Sequence, residues 1–395
     1  MTLRGRLDPG EGRVLLVRIL GATCVEAVRP TASYRAIELG ANPFEVGIVA
    51  GSFAALAFLV AVPVGRVVDR RGERGMLVAG VVLLAAAGVI GAGLPYLTAL
   101  VLMQALLGCG QVCLSVSCQT LSANGARRSP DERFARLSVA VAAGHMLGPL
   151  LAGIVIERSL PGLPALSGTV GSFATVVVIG AAAVLVGGSV RSTPPGQRQA
   201  ASNTSGPLPV TELLRIRGLP SAVYAGIAVI TTVDLTVAYL PVVGESRGIP
   251  ASVVGYLLAT RAAMSIVSRL SMGWLLDRLG RRRLLEVALG ASALAIVGVA
   301  FALPVSVLFA LLAVAGFLLG IGIPMTTAWV AIRAPEGSRG IALGLRTSGN
   351  RASQLLVPIV VGGAAAGLGA PVVFVVSAVA LGFGSRLVRR APIEA

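Results

Sequence analysis

The sequence predicts an all-α membrane protein: twelve transmembrane helices arranged as two pseudo-symmetric six-helix bundles. Three observations predict it. Of 395 residues, 55% are hydrophobic and only 13% are charged, with a mean hydropathy of +0.87; a soluble domain is about one-quarter charged. Apolar stretches of roughly 20 residues, the length that crosses a hydrocarbon core as a helix, recur from end to end. The pattern of the first half also returns in the second at a constant spacing of 208 residues, as from Gly65 to Gly273.

The spans follow in order. The first, 13–37, is apolar along most of its length but holds Glu26 and Arg29 deep inside. The second, 44–66, is uncharged from Val46 to Val64 and then runs into GRVVDRRGERG at 65–75, a dense knot of charge. The third and fourth, 75–95 and 97–121, are divided only by a short turn at Pro95 and Tyr96. The fifth, 134–156, contains AAGHMLGPLLAG, and the sixth, 165–188, carries no charge. The segment 189–219 is rich in Pro, Ser, Gly and Gln and reads as a flexible linker between an N-terminal bundle, 1–188, and a C-terminal bundle, 220–395. The seventh span, 220–243, has one ionisable group, Asp234. The eighth, 252–274, includes Arg261 and Arg269 and leads into GWLLDRLGRRR at 273–283. The ninth and tenth, 283–303 and 306–330, meet at Pro304; Gly320, Gly322 and Pro324 predict a bend in the tenth. The eleventh, 340–363, is unusually polar, and the twelfth, 369–387, ends in a basic tail.

The formal net charge of +16 comes from 33 basic residues, all arginine. On one side of the spans only Arg35, Arg158 and Arg247 fall at span ends or in loops, whereas the other side collects most of the rest. This asymmetry is the positive-inside pattern, and it predicts a multi-pass protein of the plasma membrane with both termini in the cytoplasm. No aromatic residues interleave the basic tails, so nucleic acid is not an expected partner. The N-terminus, MTLRGRLDPGEGR, is too polar for a cleaved signal peptide. Cys24, Cys109, Cys113 and Cys118 all lie in apolar spans and read as small hydrophobes. No metal-ligand spacing, nucleotide loop or hydrolytic constellation is present, so neither a cofactor nor an enzyme is expected; GARRSPDERF at 125–134 reads as a charged loop. Trp274 and Trp329, with Tyr34, Tyr96, Tyr239 and Tyr256, fall near span ends and read as interfacial belts.

The two knots share the pattern Gly-x-x-x-Asp-Arg-x-Gly-x-Arg: Gly65, Asp69, Arg70, Gly72 and Arg74, then Gly273, Asp277, Arg278, Gly280 and Arg282. Glycine at 65 and 273 permits close helix approach, and at 72 and 280 a tight turn. The doubled motif resembles the signature loop of the major facilitator superfamily, and the resemblance extends over nearly the whole chain. It implies a secondary transporter whose signature loops latch the cytoplasmic side; a purely topological role for the charges is the alternative. The span-five residues Gly144, Gly148, Pro149 and Gly153 resemble the motif of the superfamily's antiporters, with Ala152 replacing one glycine, and imply export. Span four departs from that branch: Gln104 stands where an arginine tied to proton transfer is usual. His145, inside the span-five motif, reads as a packed histidine.

An ionisable group within a span costs at least ~2.5–3.5 kcal/mol on insertion scales, which makes it a functional candidate. Arg18 and Arg269 lie near span ends and read as snorkelling. Glu26 and Asp234 are 208 residues apart and equally deep, which suits a proton site. Arg29, on the same face as Glu26, is a possible partner for it. Arg261 shares a polar stripe with Ser265 and Ser268, and GLRTSGNRASQ places Arg346, Asn350 and Arg351 in span eleven. Four arginines therefore face two carboxylates, and aromatics are only 4% of the chain. That balance disfavours a lipophilic cation and favours an anionic or zwitterionic small organic substrate. The expected function is proton-coupled export of such a metabolite or drug by a monomer in the bilayer. Proton-coupled uptake and a non-cycling receptor or scaffold are the alternatives.

Overall fold

The computed structural model describes residues 9–124, 130–158, 168–190, 215–334 and 339–391. Every regular element among them is an α-helix. The first six are α1 (Pro9–Glu38), α2 (Pro43–Arg71), α3 (Glu73–Gly93), α4 (Leu97–Asn124), α5 (Pro130–Glu157) and α6 (Gly168–Gly188). They are followed by α7 (Leu219–Ser246) and a 50-residue rod, Ala251–Ala300, broken at Gly280 into α8 (251–279) and α9 (281–300). The series ends with α10 (Val305–Arg333), α11 (Arg339–Leu368) and α12 (Val372–Arg390). Among the described residues α2–α7, the Ala251–Ala300 rod taken as one, and α10–α12 are apolar enough to cross a membrane on length and composition, and α1 is not. The exception is informative, because Arg18, Glu26 and Arg29 interrupt its apolar run.

Local chemistry sets the turns. The α1–α2 turn ends in a capping box, with the Asn42 side chain accepting from the Phe44 and Glu45 amides while Glu45 accepts from the Asn42 amide at 2.8 Å. Gly72 (φ 92°, ψ 166°) and Gly280 (φ 70°, ψ 162°) hold the same left-handed backbone at the α2–α3 and α8–α9 turns. A side chain at either position would be strained, which is why both repeats carry glycine there.

The two largest apolar cores divide between the halves. Val17, Leu84, Leu107 and Phe173 belong to the core of α1–α6; Leu257, Ile296, Leu312 and Phe374 belong to that of α7–α12. The repeat extends to individual contacts. Gly108 lets α4 lie against the Phe53 carbonyl, and Gly316 lets α10 lie against the Arg261 carbonyl; both partners in these pairs differ by 208 positions.

The halves meet at the end of the bundle opposite the termini. There α2 packs on α11 through Gly47, Gly51 and Gly362, and α5 packs on α8 through Gly153 and Gly255. The single O–H of buried Tyr239 is shared between the Pro43 carbonyl at 3.0 Å and the Pro358 carbonyl at 3.1 Å, tying α7 to α2 and α11. The Ser252 amide donates to Glu157 at 3.1 Å. At the termini side, a β-carbon added to Gly65 or Gly273 would meet nothing within 4 Å. The described contacts thus close the halves at the far side, whereas Gly65 and Gly273 touch no neighbour on the termini side.

Several sequence expectations need correction. Tyr34, Tyr239 and Trp329 are buried rather than interfacial, because tertiary packing covers these span ends; Trp274, Tyr96 and Tyr256 are exposed. GARRSPDERF is not all loop: α5 begins at Pro130, and buried Arg136 reaches Glu11 on α1 at 3.5 Å. Most of the expected linker, 191–214, lies outside the described residues.

Candidate functional site

The site begins on α1, where Glu26 and Arg29 sit on a face clamped by α5. A β-carbon at Gly148 would stand 2.7 Å from the Glu26 β-carbon and 2.8 Å from the Ala27 amide nitrogen, and Gly144 abuts Ala22 and Thr23 in the same way. Small residues here let the α5 backbone approach the segment that carries the acid. Next along α5, the Pro149 carbonyl and Gly153 contact Gly255 on α8. One glycine-rich stretch thus packs on both the acid-bearing helix and the opposite half.

A polar relay crosses the interface. Arg29 Nη2 lies 2.7 Å from Asp234 Oδ1, while its Nη1 is 3.8 Å from Glu26 Oε1. The tight ion pair is therefore with the opposite half, and the same-helix pair is the loose one. The guanidinium also stacks 4.8 Å over the Phe53 ring. Asp234 Oδ2 accepts from Gln354 Nε2 at 2.7 Å, and Gln354 Oε1 accepts from Arg351 at 3.1 Å. His145 Nε2 lies 3.7 Å from Glu26 Oε1. Glu26, Arg29, Asp234, Gln354 and Arg351 thus form one chain through α1, α7 and α11.

These groups line a cavity of about 270 Å³ between the halves. Arg261, Arg269, Ser265 and Asn350 also face it, as do Phe53, Gln111 and His145. Arg261 is 4% exposed and, among the described residues, its Nε has no hydrogen-bond partner; nor do Arg269 Nε, Gln111 Oε1 or Asn350 Oδ1. Unpartnered donors and acceptors therefore meet in one cavity, where a polar ligand can satisfy both. Arg29, Arg261, Arg269 and Arg351 outnumber the two acids on the lining, and Arg29 already engages both.

Not every candidate joins the cavity. Arg346 turns to α10, 3.2 Å from Thr326 Oγ1 and 3.3 Å from the Ile323 carbonyl, and lies against Gly226; it stitches α11 to α10 and α7. Ser268 donates to its own helix at the Ser265 carbonyl. Conversely, Arg269 does not snorkel but lines the cavity, and Arg18 is buried within electrostatic reach of Glu26. His145 faces the cavity instead of packing away from it. Sequence reasoning missed Phe53, Gln111 and Gln354. The first stands 208 positions before Arg261, and the last is one turn beyond Arg351, so both carried a readable signal.

The signature loops behave as twins. Arg74 donates to the Gly188 carbonyl at 2.6 Å, at the end of α6, and Arg282 donates to the Arg389 carbonyl, near the end of α12. Each places a cation at the negative end of a helix dipole. Arg278 stacks 4.7 Å over Trp274, and Asp277 and Arg70 are exposed. The side chain of Asp69 lies outside the described residues.

The family model of the Major Facilitator Superfamily matches residues 14–256 and 222–392. No curated protein sequence matches the chain. Among solved structures, a mutant of the nucleoside transporter NupG is similar with a TM-score of 0.79 and 14% identity, over 96% of this chain and 98% of that one. A bacterial homologue of the human lysosomal transporter Spinster, inward-facing and unoccupied, is similar with a TM-score of 0.75 and 15% identity, over 97% of each chain.

Proposed function

The chain belongs to the major facilitator superfamily, and we propose that it exports a small anionic or zwitterionic organic metabolite or drug in exchange for protons. It is a multi-pass membrane transporter that works by alternating access, not an enzyme. The finer reading rests chiefly on the cavity's excess of arginine. Among the described residues neither Arg261 nor Arg351 has a carboxylate in ion-pair contact, so a carboxylate or phosphate on the substrate supplies the missing anion. Ser265, Asn350 and Gln111 offer hydroxyl and amide groups to the rest of the molecule.

The coupling follows from the relay. A proton on Asp234 neutralises it, releases Arg29 and loosens the Arg29–Asp234 ion pair, which joins the halves at mid-depth. Glu26, with His145 beside it, is the second proton site. The bundles 1–188 and 220–395, joined by the linker 189–219, rock about this centre. With the arginine-rich termini side in the cytoplasm of a plasma membrane, the present state opens inward. In the outward state the loops around Asp69 and Asp277 latch the cytoplasmic side, with Gly65 and Gly273 in close approach. A single chain suffices for the cycle.

The test is transport by the purified protein in proteoliposomes with an imposed pH gradient, after screening organic acids against lipophilic cations for ligand-induced stabilisation. Export predicts efflux driven by inward proton flow. Asp234→Asn is expected to abolish that coupling yet retain exchange of substrate for substrate. Arg261→Gln or Arg351→Gln is expected to weaken binding about ten- to a hundred-fold, the scale of a charge-assisted hydrogen bond. Accumulation in right-side-out vesicles driven by inward proton flow would establish uptake instead. Binding without counterflow would establish a receptor. If gradient-driven transport survives both Asp234→Asn and Glu26→Gln, neither acid carries the proton.

A further inference from the structure

A second cavity, of about 490 Å³, opens at the termini side between the start of α7, the start of α9 and the end of α12. Arg217, Arg282 and Arg390 converge on it, and among the described residues that line it none is acidic. Its wall includes the first turn of α7, through Gly218 and Ser221. That helix starts without a side-chain cap, since Gly218 (φ 91°) has none to offer the first amides. Three guanidinium groups and an uncapped helix N-terminus all favour one kind of guest, a phosphate. Arg282 spends one donor on the Arg389 carbonyl and keeps the rest of its planar fork.

The position selects the source of that phosphate. Leu387 forms part of the wall, and one turn earlier on α12 stands exposed Phe383, preceded at helical spacing by exposed Val379 and Val376. An apolar stripe therefore runs from the membrane-facing surface of α12 to the lip of the basic cavity. We propose that this cavity binds the headgroup phosphate of an anionic phospholipid, whose acyl chain lies along Val376, Val379 and Phe383. Basic pockets between transmembrane helices on the cytoplasmic side suit such headgroups. The lipid would brace the α8–α9 signature turn through Arg282, tying its position to the charge of the surrounding leaflet. The site is remote from the central relay and does not depend on the direction or coupling of transport.

Native mass spectrometry of the purified full-length chain, delipidated and titrated with phosphatidylglycerol or phosphatidylcholine, tests this. One phosphatidylglycerol is expected to be retained in preference to phosphatidylcholine. Each of Arg217→Gln and Arg390→Gln is expected to weaken it roughly five-fold, and the pair about twenty-five-fold. Arg158→Gln, on the far side, is expected to leave it unchanged. Thermal unfolding in phosphatidylcholine reports whether the double variant folds, and the single variants remain readable if it does not. Equal retention of the two lipids, or full affinity in the folded variants, overturns the proposal. So does inorganic phosphate that displaces the lipid and stabilises the protein as well as phosphatidylglycerol does, which would mark a site for soluble phosphate.

Discussion

Gly255 on α8 is the most direct handle on the closed far side. A β-carbon there would lie 2.6 Å from the Pro149 carbonyl oxygen and 3.1 Å from the Gly153 α-carbon. Ordinary contact begins at 3.4 Å, so Gly255→Ala forces α5 and α8 about 0.8 Å apart at a point where both partners are backbone and neither can rotate away. Overpacking on this scale costs about 1–3 kcal/mol. Alanine also favours the helix by ~1 kcal/mol over glycine, but in both transport states alike, so that gain cancels from the equilibrium. The clash exists only while the far side is shut. The substitution therefore shifts the balance toward the far-side-open state by about 5- to 150-fold. From a ratio of about 1:99, the open fraction would rise to roughly 5–60%. Spin labels at Arg158 and Ser246, exposed at the far ends of α5 and α7, would report it by pulsed electron paramagnetic resonance as a longer-distance population. Gly65→Ala, whose new methyl meets nothing within 4 Å in this state, should shift the balance the other way if Gly65 closes on a neighbour in the alternate state. A folded Gly255→Ala protein with an unaltered distance distribution would refute the reasoning.

Tyr239→Phe removes the one O–H hydrogen shared between the α2 and α11 carbonyls, of which only the Pro43 contact crosses between the halves, and should favour far-side opening by about five-fold, at ~1 kcal/mol net, in the same distance measurement. Arg29→Met leaves Glu26 and Asp234 buried without their shared cation, so thermal or denaturant unfolding should show a loss of about 3–5 kcal/mol. A second change, Asp234→Asn, on that background should recover part of the loss, because it removes one of the stranded charges. An Arg29→Met protein as stable as the parent would mean that water, not Arg29, solvates the two acids.

The number of helices, their duplication and the glycines of both signature turns were legible in the chain, because these features are local. Apolar length reports a span, and a left-handed turn needs glycine wherever it occurs. The special standing of Glu26, Asp234, Arg261 and Arg351 was legible too, since a charge in an apolar run is conspicuous without any knowledge of its neighbours. What the linear pattern could not decide was partnership. Arg29 lies three residues from Glu26, and helical spacing nominates that pair, yet the shorter contact is to Asp234, more than two hundred residues away. Arg346 and Arg351 looked alike on one polar helix, but five residues rotate a helix well past one full turn, so one meets α10 and the other the cavity. Arg269 was read as snorkelling and His145 as packed away for the same reason. Depth along a helix is written in sequence, whereas the direction a side chain faces depends on how helices pack, and only the assembled bundle sets that.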